Sequence, residues 1–163
     1  MFTLELNHQQ LQHILTKIQT TTQNLTPLMQ SIATELAAQT EQNFDEEGRP
    51  QWPELSDVTT ERRTKNGHWP GKILQVSAGG LAASITTQAD ENSALVGTNK
   101  PYAEMMQFGG ERADFPQLWG DVPSRPYLPV DVEGGLQRPA EDTILKLSLD
   151  YLEGAVRHGD WNP

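Results

Sequence analysis

Apolar positions recur with a helical period in three long stretches of the chain, and with a strand period only in short pairs. Leu11, Ile14, Leu15 and Ile18 fall at i, i+3, i+4 and i+7, which predicts a helix over 8–20. The polar run Thr20-Thr21-Thr22-Gln23-Asn24 breaks it. Thr26-Pro27 then offers a capping residue followed by a first-turn proline. Behind that pair, Leu28, Ile32, Ala33, Leu36 and Ala37 form a stripe that carries a second helix to Phe44. At the far end Ile144, Leu147, Tyr151, Leu152, Ala155 and Val156 predict a helix over 140–158, which Gly154 weakens without ending.

The segments between these helices read differently. Residues 45–56 hold acids, Gly48, Pro50 and Pro53, which predicts an ordered loop anchored by Trp52 and Leu55. A short polar helix is expected over 57–65, then a turn at Asn66-Gly67 and a brief helical piece at Leu81-Ala82-Ala83. Runs 84–89 and 93–97 flank Asp90-Glu91-Asn92 and predict a β-hairpin. Pro101 opens a short helix carrying Tyr102, Met105 and Met106, and Gly109-Gly110 ends it. Residues 110–124 form a second long loop with Phe115, Leu118 and Trp119, and the proline-spaced segment Arg125–Val130 is extended. Phe2, Leu4 and Leu6 alternate with polar residues as in a short strand or a helix lead-in.

The pattern therefore predicts one α+β domain over 1–163, with N-terminal and C-terminal helices packed on a small antiparallel β-sheet and long ordered loops. Its parts are a helical portion (1–44), a loop-and-sheet portion (45–130) and a C-terminal helix within 136–158.

Composition sharpens this picture. Hydrophobic residues make up 36% of the 163, and mean hydropathy is −0.59, so either loops are long and polar or neighbouring subunits complete the apolar surface. The net charge of −10 weighs against a protein that grips phosphates, although an acidic wall is compatible with DNA sliding past without sticking. The chain has no Cys, which removes disulfides and thiolate metal sites. Met1–Leu6 lacks the basic and apolar regions of a signal peptide, and no run of about 18 apolar residues predicts a membrane span.

Candidate chemistry is sparse. Asp45-Glu46-Glu47 precedes a loop glycine, with no spaced partner acid for a hydrolase pair and no alternation of oxygen ligands for calcium. His8, His13, His68 and His158 lack zinc-site spacing. Gly79-Gly80 is not followed by the Lys-Ser/Thr of a phosphate loop, and no Gly-x-Ser-x-Gly elbow occurs. No catalytic, cofactor-binding or metal residue is nominated. Arg62-Arg63-Lys65 is the one basic cluster; in so acidic a chain it reads as a subunit salt bridge or a solvated face ahead of a nucleic-acid contact. Trp69, Trp119 and Trp161 sit in loops or the tail, where aromatics can anchor interfaces.

Several blocks resemble a known family. Val96-Gly97-Thr98-Asn99, Tyr102-Ala103 and Gln107-Phe108-Gly109-Gly110 are similar to one motif of the phage virion morphogenesis proteins, which include tail completion proteins of P2-like and Mu-like phages. Gly48 to Leu55 with Trp52, Ile73-Leu74-Gln75 leading to Leu81 and Ser84-Ile85, and Arg125-Pro126-Tyr127-Leu128 resemble three more, in family order. Met106 stands where the family often has His, and Ala78 where it has Ser or Thr.

The resemblance implies a non-enzymatic structural protein of a tailed phage or prophage, acting in tail completion or head–tail joining. It would work as a homo-oligomeric ring with other tail or neck proteins, away from membranes. It would bind no specific nucleic acid while allowing DNA passage. Its expected locations are the host cytoplasm during assembly and the tail or neck of the virion. Candidate interface residues are Trp52, Arg62, Arg63, Tyr102, Gln107, Phe108, Arg125 and Tyr127. A tail-associated hydrolase and a DNA-binding maturation factor are the alternatives.

Overall fold

A computed structural model describes residues 8–116, 120–131 and 133–157. The short strand or helix lead-in expected over residues 1–7, and Leu118, Trp119, His158 and Trp161, lie outside them. The elements are α1 (His8–Thr22), α2 (Thr26–Asp45), α3 (Asp57–Lys65), a 3-10 turn (Ala82–Ser84), β1 (Ile85–Ala89), β2 (Ala94–Thr98), α4 (Ala103–Phe108) and α5 (Arg138–Arg157). The α+β prediction holds, and α2 is its centre: it packs on both strands and on α5, while α1 packs on α5.

Two local differences from the sequence reading have physical causes. Helix α1 runs through the expected break to Thr22, and the hydroxyls of Thr16, Thr20 and Thr22 donate to carbonyls one turn back. A threonine hydroxyl that bonds one turn back finds its partner inside the helix, so the polar run does not have to end it. Thr26 lies inside α2 rather than capping it; Asn24 Oδ1 accepts the Thr26 N–H at 3.0 Å.

The hairpin forms as expected. β1 and β2 pair antiparallel, with Ile85 opposite Thr98 and Ala89 opposite Ala94. Asp90 shapes the turn: its Oδ1 accepts the N–H groups of Asn92 and Ser93, both at 2.7 Å, and its Oδ2 accepts the Ser93 hydroxyl. Residues 125–128 form no strand. Pro126 and Pro129 have no N–H to donate to a ladder, and pairing around this segment is limited to the single bridges Gly110–Val122 and Val130–Leu136.

Much of the core comes from loops. Phe44, Trp52, Ile73, Leu81, Ala103 and Tyr127 form one buried cluster, against which Leu55, Leu74, Ile85, Met106 and Leu128 pack. Phe44 stacks on Tyr127 with ring centroids 5.4 Å apart and meets Trp52 edge-on at 6.0 Å. The last turn of α2 thus carries an aromatic residue into the loop core, in the two geometries that aromatic pairs favour.

Candidate assembly interface

The 45–56 loop begins where α2 stops. Glu47 and Gly48 take positive φ, +57° and +103°. The Gly48 N–H donates back to Asn43 O at 2.8 Å, and the Trp52 N–H to Glu47 O at 2.8 Å. A Cβ on Gly48 would lie 2.3 Å from Trp52 Cδ1 and 2.6 Å from Pro50 O, so glycine is required both by conformation and by space. The acids here have structural work: Glu47 Oε1 accepts the Ile73 N–H at 2.7 Å.

Arg49 then reaches back along α2. Its Nε donates to Asn43 Oδ1 and one terminal nitrogen to Gln42 Oε1, both at 2.8 Å. The other donates to Gln39 O and Gln39 Oε1. Buried Asn43 passes the network on, donating from Nδ2 to Tyr127 O at 3.1 Å and to Gln137 Oε1 at 3.2 Å. Gln137 closes the circle by donating to Arg49 O at 2.9 Å. Sequence reading missed Asn43, Arg49 and Gln137. Leu36, Thr40, Asn43 and Phe44 share one face of α2, so a polar residue on that buried stripe was the available signal.

The proline-rich segment is fastened from two sides. Trp52 Nε1 donates to Pro126 O at 2.9 Å. Arg125 Nε and a terminal nitrogen donate to Pro53 O and Glu54 O, at 3.0 and 2.9 Å. From α4, Gln107 Oε1 accepts the N–H groups of Tyr127 and Leu128. Arg63 on α3 donates to Lys72 O and Ile73 O. Burial lowers the Arg125 pKa from its ordinary value, and the nearby charge of Arg63 adds to that shift. Burial likewise lowers that of Arg63, with Arg62 contributing. Carbonyl oxygens hold both Arg63 and Arg125 in place against this burial.

The eight candidate residues accordingly separate into two groups. Trp52, Gln107, Arg125 and Tyr127 are buried and bonded within the chain, and Arg63 is half-buried on carbonyls. Arg62, Tyr102 and Phe108 face outward, with Tyr102 44% and Phe108 74% exposed. Phe108 and Gln107 are neighbours on α4 with opposite fates, one outside and one in the core. Gly109 follows at φ +76°, where a Cβ would lie 2.7 Å from Val122 O and 2.8 Å from Ser124 N. The corner that displays Phe108 is thus pinned closely from behind. Trp69 is half-buried. Among the described residues, no group of three or more His, Asp or Glu is arranged to hold a metal, and no helix is long and apolar enough to cross a membrane.

The motif residues gathered around this corner coincide with a family match over residues 6–153. The chain belongs to the phage virion morphogenesis family. This family member is 35% identical over 133 residues to the Mu-like prophage FluMu G protein 2 of Haemophilus influenzae, covering 78% of this chain and 83% of that one. It is also 35% identical over 130 residues to protein G of Escherichia phage Mu, provisionally named for capsid assembly, covering 77% and 78%. No solved structure matches it. The family is named for virion morphogenesis and the phage Mu relative for capsid assembly, which supports a phage structural or assembly role for this chain.

Proposed function

We propose that this protein acts in tail completion or head–tail joining, as a homo-oligomeric ring and without catalysing a reaction. The family match across nearly the whole chain carries this reading. The geometry is consistent with it. The motif residues Trp52, Gln107, Arg125 and Tyr127 build an internal frame, and that frame presents Phe108 and Tyr102 on a fixed corner. An aromatic-bearing corner held from behind suits protein contact, because pre-ordering lowers the conformational entropy lost on docking. Repeated head-to-tail contacts close into rings when the rotation per subunit allows it. The net charge of −10 would let such a ring surround DNA without retaining it. Assembly would take place in the host cytoplasm, and the finished ring would sit in the tail or neck beside other tail proteins.

The test is electron microscopy of induced lysates in which the gene carries an early stop codon. Filled heads beside separate, headless tails are expected. Normal infectious particles would remove the joining role.

A further inference from the structure

Helices α1 and α5 are unusually bare. Among the described side chains of α1 none is buried, and on α5 Ala140 alone is. Elsewhere, α2 buries Leu28, Ala33, Leu36 and Phe44. A helix in water draws most of its stability from packing an apolar face, so two helices with no buried stripe are incompletely packed. The apolar face exists: Leu145, Leu149, Leu152 and Val156 are exposed, the first two at 59% and 52%. Beside them an open groove of about 440 Å³ runs to Ile18 of α1. This stripe is separate from the one α5 turns inward, where Ile144, Leu147 and Tyr151 are half-buried.

Its spacing is informative. Leu145, Leu149, Leu152 and Val156 are separated by four, three and four residues, the repeat of a helix seam that packs against another helix. The series is also self-complementary. In an antiparallel pair of α5 helices, Leu145 meets Val156 and Leu149 meets Leu152, leaving no apolar position unmatched.

Charge singles out the partner. Helix α5 carries the acids Glu141, Asp142, Asp150 and Glu153. Against them stand Arg138, Lys146 and Arg157 on α5, and Lys17 on α1, which has no acid. The two helices together are neutral, so the whole net charge of −10 lies on the rest of the chain. Two copies approaching by any of their acidic faces repel, whereas here they meet without that penalty. A strongly basic partner, in contrast, finds no net negative charge on these two helices to prefer over the rest of the chain. We infer that the α1–α5 face is the contact between two copies of this chain, joined as a four-helix arrangement about a two-fold axis with α5 antiparallel to α5. The inference concerns pairing alone and stands whether or not pairs go on to build a ring.

Sedimentation of the full chain at micromolar concentration tests it. The native protein should associate, and Leu149→Lys should weaken association by about tenfold or more, because an ammonium would have to leave water in the seam. Circular dichroism checks that the variant keeps its helices. The second measurement does not depend on that variant. The chain has no Cys, so oxidising a mixture of Leu149→Cys and Leu152→Cys should give the mixed disulfide in preference to either homodimer. A monomeric native protein would overturn the proposal, since another occupant would then have to cover the face. So would association indifferent to Leu149→Lys in a folded variant, or random disulfide pairing.

Discussion

The side-chain oxygen of Gln107 accepts two successive backbone N–H groups, those of Tyr127 at 3.0 Å and Leu128 at 3.1 Å. A single buried amide on α4 thereby replaces the ladder partner that residues 126–129 lack. Replacing it with leucine keeps the volume but strands two buried donors. Each unsatisfied donor costs about 1–3 kcal/mol, so Gln107→Leu should lower stability by about 2–6 kcal/mol in urea denaturation. A loss below about 0.5 kcal/mol would mean that water reaches both N–H groups and that the clamp is not structural.

Two glycines with positive φ should behave very differently. Gly67 (φ +72°) has open space where a Cβ would go, whereas Gly48 (φ +103°) has Trp52 Cδ1 at 2.3 Å. Gly67→Ala should cost only the left-handed backbone penalty, about 1 kcal/mol. Gly48→Ala adds a collision with a buried indole and a carbonyl, and should cost about 2 kcal/mol more. Thermal melts of the two variants compare them directly. Equal melting temperatures would show that the loop after α2 can shift to accept the methyl group.

What the sequence disclosed follows from how local each interaction is. Apolar spacing marked α1, α2 and α5, because a helix writes its buried face into residues three and four apart. The hairpin was legible because Asp90, Asn92 and Ser93 complete its turn among themselves. The end of α1 was not, since hydrogen bonds inside the helix hide there behind a polar threonine run. Least legible was the frame around the corner. Asn43 bonds Gln137, 94 residues on, and Arg125 bonds Glu54, 71 residues back. No local pattern encodes such pairs. The resemblance marked Arg125, Tyr127 and Gln107 as interface candidates, and within the single chain their side chains are buried. The α1–α5 face was foreshadowed only by the low apolar content of the chain.

Substitutions at Phe108 and Trp52 separate display from support. Phe108 is largely solvent-exposed, so Phe108→Ser should change monomer stability by no more than about 0.5 kcal/mol. In a complementation assay for infectious particles it should nonetheless fail if the α4 corner is a docking surface. Trp52→Ala removes a buried ring and its bond to Pro126 O, and should cost about 3–5 kcal/mol. Full complementation by Phe108→Ser would retire the corner as a contact, whatever Trp52→Ala does.

Alkaline pH offers a probe of the aromatic cluster. Tyr127 is 2% exposed and stacked on Phe44, and burial pushes its phenol above the usual 10.0. A phenol that keeps its proton longer when folded favours the folded state below its unfolded pKa. That contribution is lost as pH rises through the folded value, because the unfolded chain then sheds a proton that the native one retains. Stability measured in urea from about pH 8 to about pH 11 should therefore fall more steeply for the native protein than for Tyr127→Phe. Tyr127→Phe keeps the ring stack and, near neutral pH, should stay within about 1 kcal/mol of native. Parallel pH profiles for the two proteins would show that the hydroxyl reaches solvent in the folded state, and the cluster around Phe44 would then be looser than its 5.4 Å stacking implies.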